Sequence, residues 1–105
     1  MRVISRRALR EFWELHPQAK EPLAAWFRLM ERNKFADFNA VKGTFGAADY
    51  VAPYTIFDVG GNKFRIITAI HYNRERIYVR HVFTHPEYDR WSGALRKLGR
   101  KKRQA

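Results

Sequence analysis

The sequence predicts an α+β domain: a small, antiparallel-rich twisted sheet with an N-terminal helical hairpin on one face, in the order β-α-α-β-β-β-α. Three observations carry this. Apolar residues recur at helical spacing between Ala8 and Met30. The period changes to two at Tyr54 and holds to Thr84. Gly60-Gly61-Asn62 and Asn73-Arg74-Glu75 divide that alternating stretch into three strands. A chain of 105 residues is one domain in length. Residues 1–95 form it, and 96–105 read as a basic, flexible tail.

The elements follow in order. Arg2-Val3-Ile4 is β-branched and reads as a short strand, and Ser5 is a good N-cap for the helix after it. Ala8, Leu9, Phe12, Trp13 and Leu15 form that helix's apolar side, and His16-Pro17 ends it because the residue before proline resists the α conformation. A second helix starts near Pro22, with Leu23, Trp26, Phe27 and Met30 on one stripe and Asn33 as its terminator. The short link between the two predicts an antiparallel hairpin. Residues 37–42 suggest a single helical turn, and the Gly/Ala-rich run from Gly43 to Pro53 a loop. Strands follow at 54–59, 63–72 and 76–84, and a short helix begins at His85-Pro86-Glu87.

Alternation sorts the strand residues into faces. Phe64, Ile66, Thr68, Ile70 and Tyr72 share one side of the middle strand, and Ile77, Val79, His81 and Phe83 one side of the last. These nearly pure hydrocarbon sets are the expected core, which makes His81 a core histidine. The opposite, uncovered face collects Lys63, Arg65, Arg76 and Arg80 with no acid among its ten positions in these two strands. A turn through residues 73–76 would set Tyr72 opposite Ile77, Arg65 opposite Thr84 and Arg80 opposite Ala69. Arg65 and Arg80 would then stand roughly 13 Å apart.

Composition narrows the function classes. There is no Cys, which excludes a disulfide framework, a thiolate zinc site and a Cys nucleophile. No apolar run approaches the roughly 20 residues of a membrane span, and the amphipathic start lacks a signal peptide's apolar segment, so a cytoplasmic protein is expected. Hydrophobic residues make up 46%, enough for a real core. Lys and Arg number 21 against 10 acids, a formal charge of +11, so the default partner is a polyanion. Six of those bases lie in RKLGRKKR at 96–103. That segment reads equally as a sequence-independent phosphate contact and as a solvated terminus.

The stretch from Val59 to Asp89 resembles a known family. Gly60-Gly61-Asn62, Arg65 within a strand, Tyr78-Val79-Arg80, then Thr84-His85 and Glu87-Tyr88-Asp89 are similar to the HigB toxins of the RelE-like group. The likeness extends over nearly the whole chain, including the helical hairpin and Ala40-Val41-Lys42. The resemblance implies a RelE-like, microbial-RNase-like fold and an endoribonuclease that cleaves mRNA, mostly on the translating ribosome. It further implies neutralisation by a HigA-type antitoxin carrying a helix-turn-helix. By motif position, Arg65 and Arg80 match the strand arginines that grip the scissile phosphate, and His85 matches an acid–base residue just past the last strand. Tyr88 belongs to the same motif as a stacking or hydrogen-bonding residue, and Lys42 and Lys63 match basic positions near the RNA.

The chemistry agrees with these residue types. Metal-free RNA cleavage by the ribose 2′-hydroxyl needs a base, cations for the phosphorane and an acid for the 5′-oxygen. Histidine serves as acid or base near neutral pH, and arginine binds phosphate through a planar fork that keeps its charge. Arg76 and Tyr78 complete the expected RNA-binding set, with Tyr78 offering a ring to an unpaired base. His71 reads equally as an RNA contact and as a plain exposed residue. Trp91 is expected to pack the last helix onto the sheet. Asp58, Glu87 and Asp89 match no usual metal spacing, so neither metal nor cofactor is expected; Glu87 and Asp89 suit a helix's first turn. A non-catalytic RNA- or DNA-binding module is the alternative, and a module binding an acidic protein partner is a third class. Neither needs a histidine at the end of a strand beside paired arginines.

Overall fold

The computed structural model describes residues 1–104, with side chains through Lys97. Its elements are β1 (Arg2–Ile4), α1 (Arg6–Leu15), a 3-10 turn (Pro17–Ala19), α2 (Lys20–Arg32), α3 (Phe38–Thr44), β2 (Asp49–Val51), β3 (Tyr54–Val59), β4 (Phe64–His71), a 3-10 turn (Tyr72–Arg74), β5 (Arg76–Thr84) and α4 (His85–Gln104). The five strands lie in the order β1-β5-β4-β3-β2. Only β1 with β5 is parallel; β2, β3, β4 and β5 pair antiparallel in succession. The architecture is the expected α+β one, enlarged by α3 and β2.

The helical hairpin covers one face. Leu9, Leu23, Trp26 and Met30 meet Phe57, Ile66, Ile77 and Val79, all buried, and the Trp26 ring stands edge-on to Phe57 at 5.3 Å. Each fully buried large apolar side chain is worth about 1.5–3 kcal/mol of transfer free energy, so hydrocarbon holds the hairpin to the sheet. His16 is the C-cap of α1, its amide N–H donating to the Phe12 carbonyl. Asn33 ends α2 in an extended conformation. Ser5 departs from expectation: it sits in the left-handed region at φ 77° and its side chain caps nothing. Its carbonyl accepts from the Ala8 N–H instead.

The 37–42 segment is more than one turn. Asp37 caps α3, its Oδ1 accepting the Ala40 N–H at 2.9 Å. The loop expected from 43 to 53 contains β2, whose residues are all exposed and so lack the alternation that marks a half-buried strand. It pairs Asp49 with Ile56 and Val51 with Tyr54.

The register between β4 and β5 differs from expectation, with consequences for the site. His71 pairs with Arg76, Ala69 with Tyr78 and Thr68 with Val79; beyond a bulge at Ile67/Thr68, Ile67 pairs with His81 and Arg65 with Phe83. Tyr72 is therefore not opposite Ile77, Arg65 is not opposite Thr84, and Arg80 is not opposite Ala69. Arg80 is the extra residue that the ladder skips. A bulge inverts the alternation on its own strand. Val82 thus turns toward the core under the hairpin, while His81 and Phe83 turn to the face that carries Arg65. The expected core histidine is exposed, stacked on Phe83 at 5.1 Å.

That second face is not uncovered. α4 crosses it, and the Trp91 ring packs on Tyr54 at 5.4 Å and on His81 and Phe83 at 5.8 Å. Ile56 and Ile67 are buried there. The α4 backbone runs to Gln104 through the basic segment; the expectation of a tail at 96–105 falls largely on residues 98–105, whose side chains lie outside the described residues.

Candidate active site

Arg65 is the organising residue of the second face. The turn before it is built from three successive left-handed residues, Gly60 (φ 65°), Gly61 (φ 62°) and Asn62 (φ 69°). At Gly60 even a Cβ would stand 3.0 Å from the Phe64 ring, so glycine is required there for space and conformation together. This tight turn brings the Asn62 carbonyl to the Arg65 Nη1 at 2.9 Å, and the Phe64 carbonyl accepts from the same nitrogen at 3.3 Å. Across the ladder, Asp58 pairs with Arg65 and its Oδ1 lies 2.8 Å from Nε. The Tyr88 ring covers the guanidinium at 5.5 Å. Arg65 is only 8% exposed, so a charge that water would normally stabilise is held instead by a carboxylate, two carbonyls and a π-face. The face therefore does carry an acid, directly opposite its central arginine.

His85 stands at the junction of β5 and α4. Its amide N–H donates to the Lys63 carbonyl at 3.1 Å, extending the strand ladder by one bond. Thr84 and Glu87 form a capping box: the Thr84 amide and hydroxyl donate to Glu87 Oε1 at 2.9 and 2.8 Å. Those bonds hold the Glu87 carboxyl below its ordinary range, the Thr84 amide first and its hydroxyl second. With the backbone fixed from both sides, the His85 ring is half-exposed and its Nδ1 lies 3.0 Å from Asp89 Oδ2, one helical turn on. That contact leaves Nε2 facing outward. Tyr88, three residues after His85, links the histidine's turn of α4 to Arg65. Burial pushes the Tyr88 phenol up, nearby Asp49 adds to this, and Arg65 opposes it. At neutral pH Tyr88 is a hydrogen-bond donor, not a phenolate.

The remaining predicted residues lie around this centre. Lys63 is exposed at the Gly60–Asn62 turn. Arg80, projected from the bulge, stacks over the Tyr78 ring at 5.1 Å, roughly 7–10 Å along the strand from Arg65 by residue rise. Tyr78 also meets His71 edge-on at 5.1 Å. Arg76 is exposed at the far end of β5, paired in register with His71 and with Arg2 of β1. Lys42 lies apart on α3, its Nζ donating to the Ala48 carbonyl at 2.6 Å. Arg65, His85, Tyr88 and Lys63 thus gather at one end of the sheet, Arg80 and Tyr78 flank them, and Arg76 and Lys42 stand off.

Two residues of the centre take partners that the sequence motifs do not announce. Asp58 matches no metal spacing, and counting back through the Gly60–Lys63 loop sets it opposite Arg65. Asp89 suits a helix's first turn, and its spacing of four from His85 also places the two on one face. Among the described residues, no group of three or more His, Asp or Glu side chains could hold a metal ion.

The chain is similar to known proteins along nearly its whole length. Residues 19–91 match the family described as HigB_toxin, the RelE-like toxic component of a toxin-antitoxin system. The chain is 31% identical over 104 residues to the mRNA interferase toxin HigB of Escherichia coli (strain K12), covering 96% of this chain and 100% of that protein. A Shigella flexneri protein, mRNA interferase HigB, matches to the same extent, 31% over 104 residues. An Escherichia coli O6:H1 protein of the same name is 28% identical over 93 residues, or 86% of this chain and 90% of that one. With a family match across most of its length and full-length relatives, this chain belongs to the HigB family of RelE-like toxins from toxin–antitoxin systems.

Proposed function

We propose that this chain is a metal-independent endoribonuclease that cleaves mRNA on the translating ribosome, arresting translation and growth until a HigA-type helix-turn-helix antitoxin restrains it. The endoribonuclease activity is that of its named relatives. The ribosome and the antitoxin are what membership of the family implies, and the chemistry and the residue roles are inferred from the site. The observation that carries the reading is His85, half-exposed at the strand–helix junction with Nδ1 on Asp89, beside an arginine whose orientation is fixed from three sides.

In this mechanism Asp89 holds the His85 tautomer, so Nε2 takes the proton of the ribose 2′-hydroxyl. The 2′-oxygen attacks the adjoining phosphorus, the bond to the 5′-oxygen breaks, and the imidazolium supplies the proton that this leaving oxygen needs. The products are a 2′,3′-cyclic phosphate and a 5′-hydroxyl. Arg65 has Nε and Nη1 engaged, so Nη2 is the nitrogen with which it meets the phosphate. Arg80, on an exposed bulge, closes on the other side. Their fixed charges stabilise the phosphorane without reorganising, which is the larger share of such catalysis. Tyr88 donates a hydrogen bond or stacks beside the scissile nucleotide, and Lys63 and Tyr78 contact its neighbours. Arg76 and Lys42 serve as outlying phosphate contacts. The protein acts in the cytoplasm, where its substrate is.

A non-catalytic nucleic-acid-binding module is the second reading, favoured by the Asp58–Arg65 pair, which would suit a purely structural arginine. One experiment separates the two. Wild type and His85→Ala are induced in cells and mRNA 5′ ends are mapped, and the purified proteins are assayed on mRNA with and without ribosomes. His85→Ala is expected to lose cleavage by about 10²- to 10⁴-fold while binding RNA as wild type does. Undiminished cleavage would remove His85 from the mechanism, and no cleavage by wild type in any arm would leave the binding module.

A further inference from the structure

A groove of about 540 Å³ opens between the β2–β3 turn and α4, lined by Tyr88, the ring that also meets Arg65. Its volume lies in the ~300–1,000 Å³ range of small-molecule sites. Two phenol rings, Tyr54 and Tyr88, line it together with a carboxylate, Asp49, and a guanidinium, Arg96, and with Ala52 and Ser92. The rings are held in place: both pack on Trp91, Tyr54 at 5.4 Å and Tyr88 at 6.1 Å. Asp49 uses Oδ1 to accept the Tyr50 N–H at 2.9 Å, and its Oδ2 has no hydrogen-bond partner among the described residues. No ion pair joins Asp49 to Arg96 among the described residues. An acceptor and a donor are thus presented separately beside aromatic walls.

This is the chemistry that recognises a planar heteroaromatic ring with both donor and acceptor edges. The groove also shares Tyr88 with the phosphate-binding arginine, so a base seated on the groove side of that ring carries its phosphate toward Arg65. We propose that the groove is a base-recognition subsite for an unpaired nucleotide next to the scissile phosphate. Asp49 gives it a preference. A carboxylate accepts from the exocyclic amine of adenine, guanine or cytosine, whereas uracil has no amine and offers only its ring N3–H, flanked on both sides by carbonyls that the carboxylate repels. Asp49 is therefore a specificity-determining residue that selects against uracil. The inference rests on the ribonuclease reading above, because it assigns the groove to that enzyme's substrate.

The test uses the full chain in two arms. In the first, His85→Ala protein is titrated with AMP, GMP, CMP and UMP while backbone amide shifts are followed. The three amine-bearing nucleotides are expected to bind roughly tenfold tighter than UMP, the worth of one charged hydrogen bond, with shifts centred on Ala52 and Ser92. Asp49→Asn, an exposed near-isosteric change, should abolish that difference, and Ser92→Trp should fill the groove and abolish binding. In the second arm, cleavage positions of wild type and Asp49→Asn are mapped on the same transcripts. Wild-type sites should be depleted of uracil at one flanking position, and Asp49→Asn should remove the depletion. If wild type cleaves but the flanking bases are unchanged by Asp49→Asn, or if all four nucleotides bind alike, the subsite is overturned and the ribonuclease stands. If wild type cleaves nothing, the ribonuclease reading fails, and the nucleotide arm still decides the groove.

Discussion

Arg65 meets two demands at once. In the proposed role it keeps a charge available to a phosphate, and it must survive at 8% exposure. Asp58 reconciles them by neutralising one edge of the guanidinium at 2.8 Å, while the Asn62 and Phe64 carbonyls fix the plane. Asp58 is therefore a positioning residue. Asp58→Asn removes the charge partner from a nearly buried cation, which costs about 1–3 kcal/mol for leaving a buried polar group without its partner, read from urea denaturation. Cleavage should fall with it, and more in kcat than in KM, because a loosened guanidinium still attracts RNA but no longer meets the phosphorane in one orientation. An unchanged unfolding midpoint would show that the pair holds nothing. The arginine itself was plain in the sequence; its partner was not, because the pairing runs across two strands.

Among the elements, β5 and α4 decide where the chemistry sits. The bulge at Ile67/Thr68 lets one strand serve two faces: Ile77 and Val79 enter the core, while His81 and Phe83 support α4. Arg80, left out of the ladder, projects where a regular strand would have buried an alternating neighbour. The Thr84–Glu87 box then starts α4 at His85. Glu87→Ala should destabilise the protein by about 1 kcal/mol at pH 7 and reduce cleavage by loosening the His85 turn. The sign of its pH dependence follows from the lowered Glu87 carboxyl. A group depressed in the folded state stabilises above its unfolded value, so the difference between wild type and Glu87→Ala should be full at neutral pH. It should shrink as pH falls below the ordinary value of 4.5 and through the lowered folded value. Urea midpoints at pH 7 and about pH 3 measure it. A capping box is visible as Thr-x-x-Glu in sequence, and the helix start at His85 follows from it. The bulge has no such local signature.

At the scale of the whole molecule, the charge of +11 divides by position. The end of the sheet that carries the candidate site pairs its cationic groups with acids, Asp58 on Arg65 and Asp89 on His85. The surplus lies in the flanks and in the C-terminal run. Long-range attraction and catalysis are thus separable. Replacing Arg100, Lys101, Lys102 and Arg103 by Gln should lower the slope of log binding constant against log salt on single-stranded RNA by up to about 3, without moving the cleavage positions. An unchanged slope would mean that the run touches no phosphate.

The sequence by itself determined the element types and the α+β class, because helical and strand periods are local properties of the chain. It likewise singled out Arg65, Arg80 and His85, since their chemistry and their positions within or just past a strand do not depend on distant contacts. Tertiary structure alone decided the register, the partners Asp58 and Asp89, the edge strand β2 and the covering of the second face by α4. Each of these depends on which backbone groups bond across the sheet. A single skipped residue in that ladder moves every later side chain to the other face. For this reason His81 left the core and Val82 turned toward it.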